Sequence, residues 1–303
     1  MTSAVVFAYH NVGVRCLSVL LAQGVQVALV VTHRDRADEN IWFDSVEKLA
    51  RARALPVITP ENPNDAAIIE QVRALRPDFL FSFYYRNMLG AELLALPRRG
   101  AFNMHGSLLP KYRGRVPVNW AVIMGERETG ATLHQMVAKP DAGGIVEQQA
   151  VSIEPEDTAA DVFGKVTAAT EQVLARALPG LIAGSARIVP QNLSLGSYYG
   201  GRRPEDGRID WRKSAQDVHN LVRGVAPPYP GAFTGIGAMT LRILRTRLEP
   251  NRPPRSSAPG LYFEAGMLFA DCGDGKVLRI LEFDEQGGQF DPATFANGKI
   301  TFA

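Results

Sequence analysis

The residues of this sequence whose types and spacing suit chemistry are Asn103 and His105, which stand at alternate positions where a short apolar run ends. Alternate residues of a β-strand project from the same face, so the amide and the imidazole would emerge side by side. An amide can stabilise a negative carbonyl oxygen, and an imidazole titrates near neutral pH. The pair is therefore compatible with acyl transfer. It is equally compatible with a buried histidine and asparagine that satisfy each other's hydrogen bonds.

The segments around this pair predict an α/β fold. Residues 4–8, 25–32 and 78–83 form apolar runs typical of buried strands, and helical patterns separate them. This alternation predicts a Rossmann-like parallel sheet, in which ligands bind at the carboxyl ends of the strands. The turn over residues 9–13 lacks the G-x-G-x-x-G pattern, which argues against a dinucleotide cofactor.

The C-terminal part of the sequence has a different pattern. Short strand-like runs at 241–248, 260–263, 267–270 and 276–282 are separated by glycine and proline. They predict a small β-barrel domain of the OB-like type. A polar, glycine-rich segment precedes them and is interpreted as a linker. We therefore expect a catalytic domain over residues 1–188, a linker over 189–208 and a C-terminal domain over 209–303.

The composition limits the classes of partner. Of the 303 residues, 46% are hydrophobic and 21% are charged, as in an ordinary soluble globular protein. The net charge of +2 makes no case for a nucleic-acid surface. Cys16 and Cys272 form no metal-binding spacing, so no metal is expected. The N-terminus shows no signal pattern and no apolar run approaches the roughly 20 residues of a membrane span, so we expect a cytoplasmic protein without membrane insertion.

The segment 103–110, with Tyr112-Arg113-Gly114 after it, resembles the signature of the folate-dependent formyltransferases. Members of this family use an asparagine, a histidine and a more distant aspartate, which lies in a short Asp-Ala/Thr-Gly loop. The matching loop here reads Pro140-Asp141-Ala142-Gly143-Gly144. The resemblance covers nearly the whole chain. It implies an N-formyltransferase that takes its formyl group from N10-formyltetrahydrofolate and needs no metal.

The resemblance also implies the catalytic residues, which are Asn103, His105 and Asp141. The Asn103 amide would donate to the oxyanion of a tetrahedral intermediate, and His105 would shuttle the proton. Asp141 would hydrogen-bond the imidazole, fix its tautomer and raise its pKa by favouring the charged form. From the residues alone, Asp141 is interpreted as a carboxylate on a flexible surface loop.

Three stretches are expected, from the resemblance, to contact the formyl donor. The expected contacts are Asn87, Met88, Leu89, Arg115, Val137, Ala138, Lys139, Pro140 and Asp141. Considered by themselves, the arginines of the loop 111–115 could hold the anionic tail or the pterin of a folate, hold a nucleotide phosphate, or simply be solvated.

Within the family, the sequence resembles the enzymes of polymyxin resistance, which formylate UDP-4-amino-4-deoxy-L-arabinose for lipid A modification. Methionyl-tRNA formyltransferases typically read near Tyr-Ala-Pro-Lys where this chain reads Tyr199-Gly200-Gly201-Arg202-Arg203-Pro204. Residues 7–10 and 81–86 also follow the aminoarabinose enzymes. We therefore expect a UDP-aminosugar substrate and no nucleic acid, with substrate contacts from Tyr9, Arg202 and Arg203.

Several alternatives stay open from the sequence. The acceptor could be another nucleotide-linked aminosugar or methionyl-tRNA, and a chain of another class would be a non-catalytic folate- or nucleotide-binding module. The aminoarabinose enzymes continue into a dehydrogenase domain, so the chain is either a stand-alone enzyme or an excised domain. His134, inside an apolar hairpin over 129–151, and His10, in the first turn, are interpreted as structural, with a ligand contact by His10 left open.

Overall fold

The computed structural model describes residues 1–36, 39–237, 239–286, 300 and 301, so part of the predicted C-terminal domain (238, 287–299, 302 and 303) lies outside the described residues. The helices are α1 (His10–Ala22), α2 (Val46–Ala52), α3 (Ala66–Leu75), α4 (Ala91–Leu94), α5 (Pro117–Ile123), α6 (Ala159–Ala183) and α7 (Ala215–Val225). The strands are β1 (Ser3–Ala8), β2 (Gln26–Val31), β3 (Val57–Ile58), β4 (Phe79–Phe83), β5 (Ala101–His105), β6 (Arg113–Gly114), β7 (Glu128–Gln135), β8 (Ile145–Ser152), β9 (Tyr198–Tyr199), β10 (Ala232–Ile236), β11 (Met239–Leu248), β12 (Gly260–Glu264), β13 (Met267–Asp271), β14 (Val277–Gln286) and β15 (Ile300–Thr301).

The chain divides into two compact units. The first comprises Met1–Pro117, Glu128–Ser152 and Phe163–Gly200. The second comprises Val118–Arg127, Ile153–Val162 and Gly201–Ala303. The predicted linker, 189–208, is thus shared between the two units, and the functional boundaries at 188 and 208 stay predictions.

A seven-stranded sheet forms the first unit, in the order β3-β2-β1-β4-β5-β7-β8. Its first five strands are parallel, whereas β7 and β8 run antiparallel at one edge. The apolar residues of β1 and β4 are buried, and helices α1 to α4 lie between the strands in sequence. The predicted parallel-sheet α/β fold is therefore confirmed. The register of β5 against β7 pairs Asn103 with His134 and His105 with Thr132.

The start of α1 contradicts the turn that the sequence predicted over residues 9–13. The helix begins at His10, so residues 10–13, which we expected to form a turn, are helical. Gly13 lies within the helix, where its role is close packing. A Cβ atom on Gly13 would come within 2.9 Å of Val46 Cγ2, so glycine lets α1 approach its neighbour.

The second unit contains an antiparallel sheet in the order β10-β11-β14-β13-β12-β15, which curls as in an OB-like half-barrel. The four predicted strands are confirmed, and β10 and β15 are added at its ends. Trp211 lies in its core and donates its indole N–H to Thr234 Oγ1 at 3.1 Å. Among the residues that the structure describes, no helix is long and apolar enough to cross a membrane.

Candidate active site

The predicted catalytic residues come together at the carboxyl end of β5. His105 is buried, with 6% of its surface exposed, and Asn103 is half-buried on the same strand. Asp141 lies in the loop that joins β7 to β8, and its Oδ1 is 3.6 Å from His105 Nδ1. The structure therefore places all three side chains of the predicted set in one cluster.

The loop that carries Asp141 is held by three hydrogen bonds. The backbone N–H of Gly114 donates to Asp141 Oδ2 at 2.9 Å. The side-chain amide of Gln191 donates to the carbonyls of Asp141, at 3.0 Å, and Gly143, at 2.6 Å. Asp141 itself has a φ of 50°, an uncommon backbone conformation for a residue other than glycine. These contacts give the carboxylate a defined position beside the imidazole.

A backbone carbonyl sets the tautomer of His105. His105 Nε2 lies 2.8 Å from the carbonyl oxygen of Tyr112, which can only accept a hydrogen bond. Nε2 therefore carries the proton of the neutral ring, and Nδ1 is the nitrogen that is free to take up another. The expectation that Asp141 fixes the tautomer is wrong, because its carboxylate faces Nδ1 at a distance beyond a hydrogen bond.

Burial lowers the pKa of His105 below its usual value, while Asp141, and then the Tyr112 carbonyl, act in the opposite direction. The predicted influence of Asp141 on the His105 pKa thus has the expected sign, but burial outweighs it. Burial alone would raise the pKa of Asp141. His105, His134 and the Gly114 N–H outweigh this effect and hold the pKa of Asp141 well below its usual range. The site therefore combines an ionised carboxylate with a neutral imidazole at neutral pH.

His134, which the sequence had suggested to be structural, contacts two members of the catalytic set. Its Nδ1 lies 2.8 Å from the carbonyl oxygen of Gln135 and donates to it. In the neutral ring its Nε2 is then an acceptor, and it lies 3.1 Å from Asn103 Nδ2 and 3.5 Å from Asp141 Oδ1. His134 therefore fixes the orientation of the Asn103 amide and leaves that amide's second N–H available. His134 lies beside Asn103 because of the register between β5 and β7, and the sequence alone does not specify that register.

The stretches expected to contact the formyl donor flank this strand end. Met88 and Val137 expose large apolar side chains, at 58% and 44%. Leu89 is buried in the core of the first unit, and Met136 packs against the same cluster. Asn87 donates to the carbonyl of Glu61 at 3.1 Å. Ala138, Lys139 and Arg115 are exposed, and Pro140 is half-buried.

The expected acceptor contacts are distributed differently. Tyr9 is buried in the first unit, its hydroxyl donates to Asp35 Oδ1 at 2.8 Å, and the Arg86 guanidinium lies 4.5 Å from its ring centre. Arg202 and Arg203 belong to the second unit, where Arg202 lies 4.7 Å from the ring centre of Trp120. The roles of Tyr9, Arg202 and Arg203 as acceptor contacts stay predictions.

Arg113, interpreted as one of two arginines in a basic loop, is not a solvated residue. It is only 8% exposed, and its Nε has no hydrogen-bond partner among the described residues.

Across all the residues that the structure describes, no group of three or more histidine, cysteine or acidic side chains is arranged to hold a metal ion.

Comparison with known proteins gives the family. Residues 15–178 match the family model described as formyl transferase, and residues 202–299 match the model of the formyl transferase C-terminal domain. Among solved structures, the chain resembles an N-formyltransferase from Helicobacter canadensis in complex with folinic acid and dTDP-3-aminofucose, with 21% identity, a TM-score of 0.75 and coverage of 92% of this chain and 99% of that one.

Two further structures share the fold. One is WlaRD, a sugar 3N-formyltransferase solved with dTDP and 5-N-formyl-THF, with 19% identity, a TM-score of 0.72 and coverage of 92% and 97%. The other is a methionyl-tRNA formyltransferase from Clostridium thermocellum, with 12% identity, a TM-score of 0.59 and coverage of 95% and 100%. With both family models matched in chain order and the Asn103, His105 and Asp141 side chains gathered at one strand end, the chain belongs to the formyl transferase family.

Proposed function

We propose that this enzyme transfers a formyl group from N10-formyltetrahydrofolate to the 4-amine of UDP-4-amino-4-deoxy-L-arabinose, a step of lipid A modification in polymyxin resistance. The observation that carries the proposal is the cluster of Asn103, His105 and Asp141. Its geometry leaves His105 Nδ1 as the one ring nitrogen able to accept a proton. A module that only binds folate or a nucleotide would have no need of such a group.

The first step is attack by the acceptor amine on the formyl carbon. A carbon–nitrogen bond forms, the carbonyl oxygen becomes negative, and the amine loses a proton to His105 Nδ1. The resulting imidazolium lies beside the ionised Asp141 carboxylate, which stabilises its charge. His105 Nε2 keeps its own proton, because that N–H donates to the Tyr112 carbonyl. The proton taken from the amine is therefore carried on Nδ1.

The second step is collapse of the tetrahedral intermediate. The free N–H of the Asn103 amide would donate to the oxyanion, a type of contact worth about 3 kcal/mol where comparable donors have been removed. The bond between the formyl carbon and N10 then breaks, and His105 returns its proton to N10. The products are the formamide and tetrahydrofolate, and the residues return to their starting protonation states.

The donor is supported by the surfaces on either side of the strand end. Met88 and Val137 present apolar side chains that suit a flat pterin, and Asn87, Leu89, Arg115 and residues 138–141 complete the proposed contacts. Two of the neighbouring structures contain folinic acid or 5-N-formyl-THF. These observations support a formyl-tetrahydrofolate donor for this chain.

The acceptor is supported by charge and by analogy. The net charge is only +2, whereas an enzyme for a long polyanion would carry an extended basic surface. The neighbours solved with dTDP-3-aminofucose and with dTDP favour a nucleotide-linked aminosugar. They also make a dTDP-linked aminosugar the second candidate. Tyr9, Arg202 and Arg203 stay proposed acceptor contacts.

A panel of acceptors tests the proposal. The purified chain would be given N10-formyltetrahydrofolate with UDP-4-amino-4-deoxy-L-arabinose, dTDP-3-aminofucose or Met-tRNA, and formylated products would be measured by mass spectrometry. We expect the UDP-aminosugar to be formylated and Met-tRNA to stay unmodified at the same enzyme concentration. Preference for the dTDP-sugar would promote the second candidate. Efficient labelling of Met-tRNA with both sugars inert would overturn the proposal, and binding without turnover would favour the non-catalytic module.

A further inference from the structure

Residues 197–199, here called the strap, lie within the segment that the sequence presents as a linker. In the first unit the strap pairs in parallel with β6, and its register joins Arg113 to Tyr198 and Gly114 to Tyr199. The N–H of Arg113 donates to the Ser197 carbonyl at 3.1 Å, and the N–H of Arg115 donates to the Tyr199 carbonyl at 3.0 Å. The strap is therefore a short strand built into the catalytic unit.

The strap also holds Tyr112 through side chains. The N–H of Tyr112 donates to Ser197 Oγ at 2.9 Å. The rings of Tyr112 and Tyr199 are stacked, with centroids 5.3 Å apart and planes inclined by 15°. Tyr112 has a φ of 56°, a backbone conformation that a bulky residue keeps only where its surroundings impose it. These contacts supply that constraint.

The backbone held by the strap is the backbone that contacts both titratable catalytic residues. The carbonyl of Tyr112 accepts from His105 Nε2 at 2.8 Å, and the N–H of Gly114 donates to Asp141 Oδ2 at 2.9 Å. The fit at Gly114 leaves no room, since a Cβ there would lie 2.1 Å from the Tyr199 carbonyl oxygen. A displacement of the strap would thus move both contacts at once.

We propose that the strap is a positioning element of the active site, in which Ser197 and Tyr199 hold the Tyr112 carbonyl where it selects the tautomer of His105. The proton-accepting nitrogen Nδ1 is free only because this carbonyl occupies Nε2. Ser197 acts through Tyr112 and contacts no reacting atom. The proposal rests on the proposed function for its kinetic consequence, while the tautomer of His105 can be measured without any substrate.

The titratable groups beside His105 in the described structure are Asp141, at 3.6 Å, and His134, whose ring centre is 6.3 Å away. Neither touches Ser197 in the contacts described above. The hydrogen bond that His105 Nε2 donates to the Tyr112 carbonyl raises the His105 pKa. Loss of the Ser197 hydroxyl should therefore lower the pKa of His105 further, and the acidic limb of kcat should move to lower pH.

The test replaces Ser197 by alanine in the full chain. The matched control is Ser194→Ala, which removes an exposed hydroxyl in the same segment; among the described residues, this hydroxyl donates only to Asn192 Oδ1. Ser197→Thr keeps a hydroxyl and should restore function. Two-bond ¹H–¹⁵N spectra of histidine-labelled protein would report the His105 tautomer and pKa, with assignment by His105→Ala, and turnover would be measured with the preferred acceptor.

We expect Ser197→Ala to shift population towards the Nδ1–H tautomer, to lower the His105 pKa and to reduce kcat on the order of tenfold, with the donor KM unchanged. Ser194→Ala should match the parent. An unchanged tautomer and pKa in folded Ser197→Ala would overturn the proposal, even if kcat falls. If Ser197→Ala does not fold, the same spectra of Tyr199→Leu, which lacks the stacked ring, test whether the strap sets the His105 tautomer. If no acceptor is formylated by the parent enzyme, the proposed function fails, but the spectra still decide the role of the strap.

Discussion

Two buried histidines lie at the carboxyl ends of strands in the same sheet, and their surroundings differ completely: His105 is the last residue of β5, and His10 comes shortly after β1. His105 has a carbonyl at one ring nitrogen and a carboxylate facing the other. His10 is 4% exposed, its ring is stacked on Phe43 with centroids 3.9 Å apart, and Trp42 lies edge-on at 4.7 Å. Its Nδ1 has no hydrogen-bond partner among the described residues.

The comparison shows which surroundings suit a buried imidazole to the proton-carrying role proposed for His105. Burial, with a smaller contribution from the charge of Arg86, lowers the pKa of His10 to about 3. Burial also lowers the pKa of His105, but Asp141 and the Tyr112 carbonyl oppose the effect. An imidazole among aromatic rings stays neutral, whereas one with a carbonyl bonded to one nitrogen and a carboxylate facing the other has a defined atom at which it can gain and lose a proton.

The largest effect should come from His105→Ala, which removes the only proton carrier of the proposed mechanism. We expect kcat to fall by about 10³-fold, because general acid and base catalysis are lost together. Steady-state kinetics with the preferred acceptor measures the change, and thermal unfolding checks the fold. If folded His105→Ala kept a kcat near that of the parent, His105 would not be the proton carrier, and its proposed difference from His10 would be contradicted.

Asp141→Asn should have the next largest effect. The carboxylate stabilises the imidazolium, so its loss should reduce kcat by roughly 10²-fold while donor binding persists. Asp141 raises the pKa of His105, so without it that pKa falls further and the acidic limb of kcat moves to lower pH. The pH–rate profile and a donor titration measure both. A variant that loses folate affinity but keeps its turnover and profile would assign Asp141 to binding.

His134→Leu should have a smaller effect, exerted mainly through the oxyanion contact. Without the acceptor at Nε2, the Asn103 amide is no longer oriented, and we expect kcat to fall roughly tenfold with little change in KM. His134→Gln, which offers an acceptor oxygen, should recover part of the loss. Equal kcat in the Leu and Gln variants would show that the acceptor at this position does not contribute to catalysis, and His134 would then have only the structural role that its hairpin position suggests.

His10→Phe should leave kcat near that of the parent and change only the response of stability to acid. The folded-state pKa of about 3 lies below the ordinary value of 6.5, so the unfolded chain binds the extra proton first. The free energy of unfolding should therefore decline as pH falls from 6.5 towards 3. His10 contributes about 1.4 kcal/mol per pH unit to this slope. Urea unfolding at several pH values should show a shallower slope in the variant, and an identical slope would contradict the neutral burial of His10.

The sequence by itself determined the α/β class and the OB-like C-terminal sheet, and it predicted that Asn103, His105 and Asp141 form the catalytic set. Strand and helix periodicities are local, and they identified β1, β2, β4 and β5 to within a few residues. The alternation of Asn103 and His105 is equally local, because successive side chains of a strand point to opposite faces. The motif around Asp141 added the third residue through family resemblance.

The tertiary structure alone decided the contacts that make these residues chemically competent. The register of β5 against β7 places His134 on the Asn103 amide, and no local pattern encodes the register between strands that lie far apart in the chain. The pairing of residues 197–199 with β6 turns part of a supposed linker into a support for Tyr112. The His105 tautomer depends on a backbone carbonyl that every residue possesses, so its physical cause is position and not residue type.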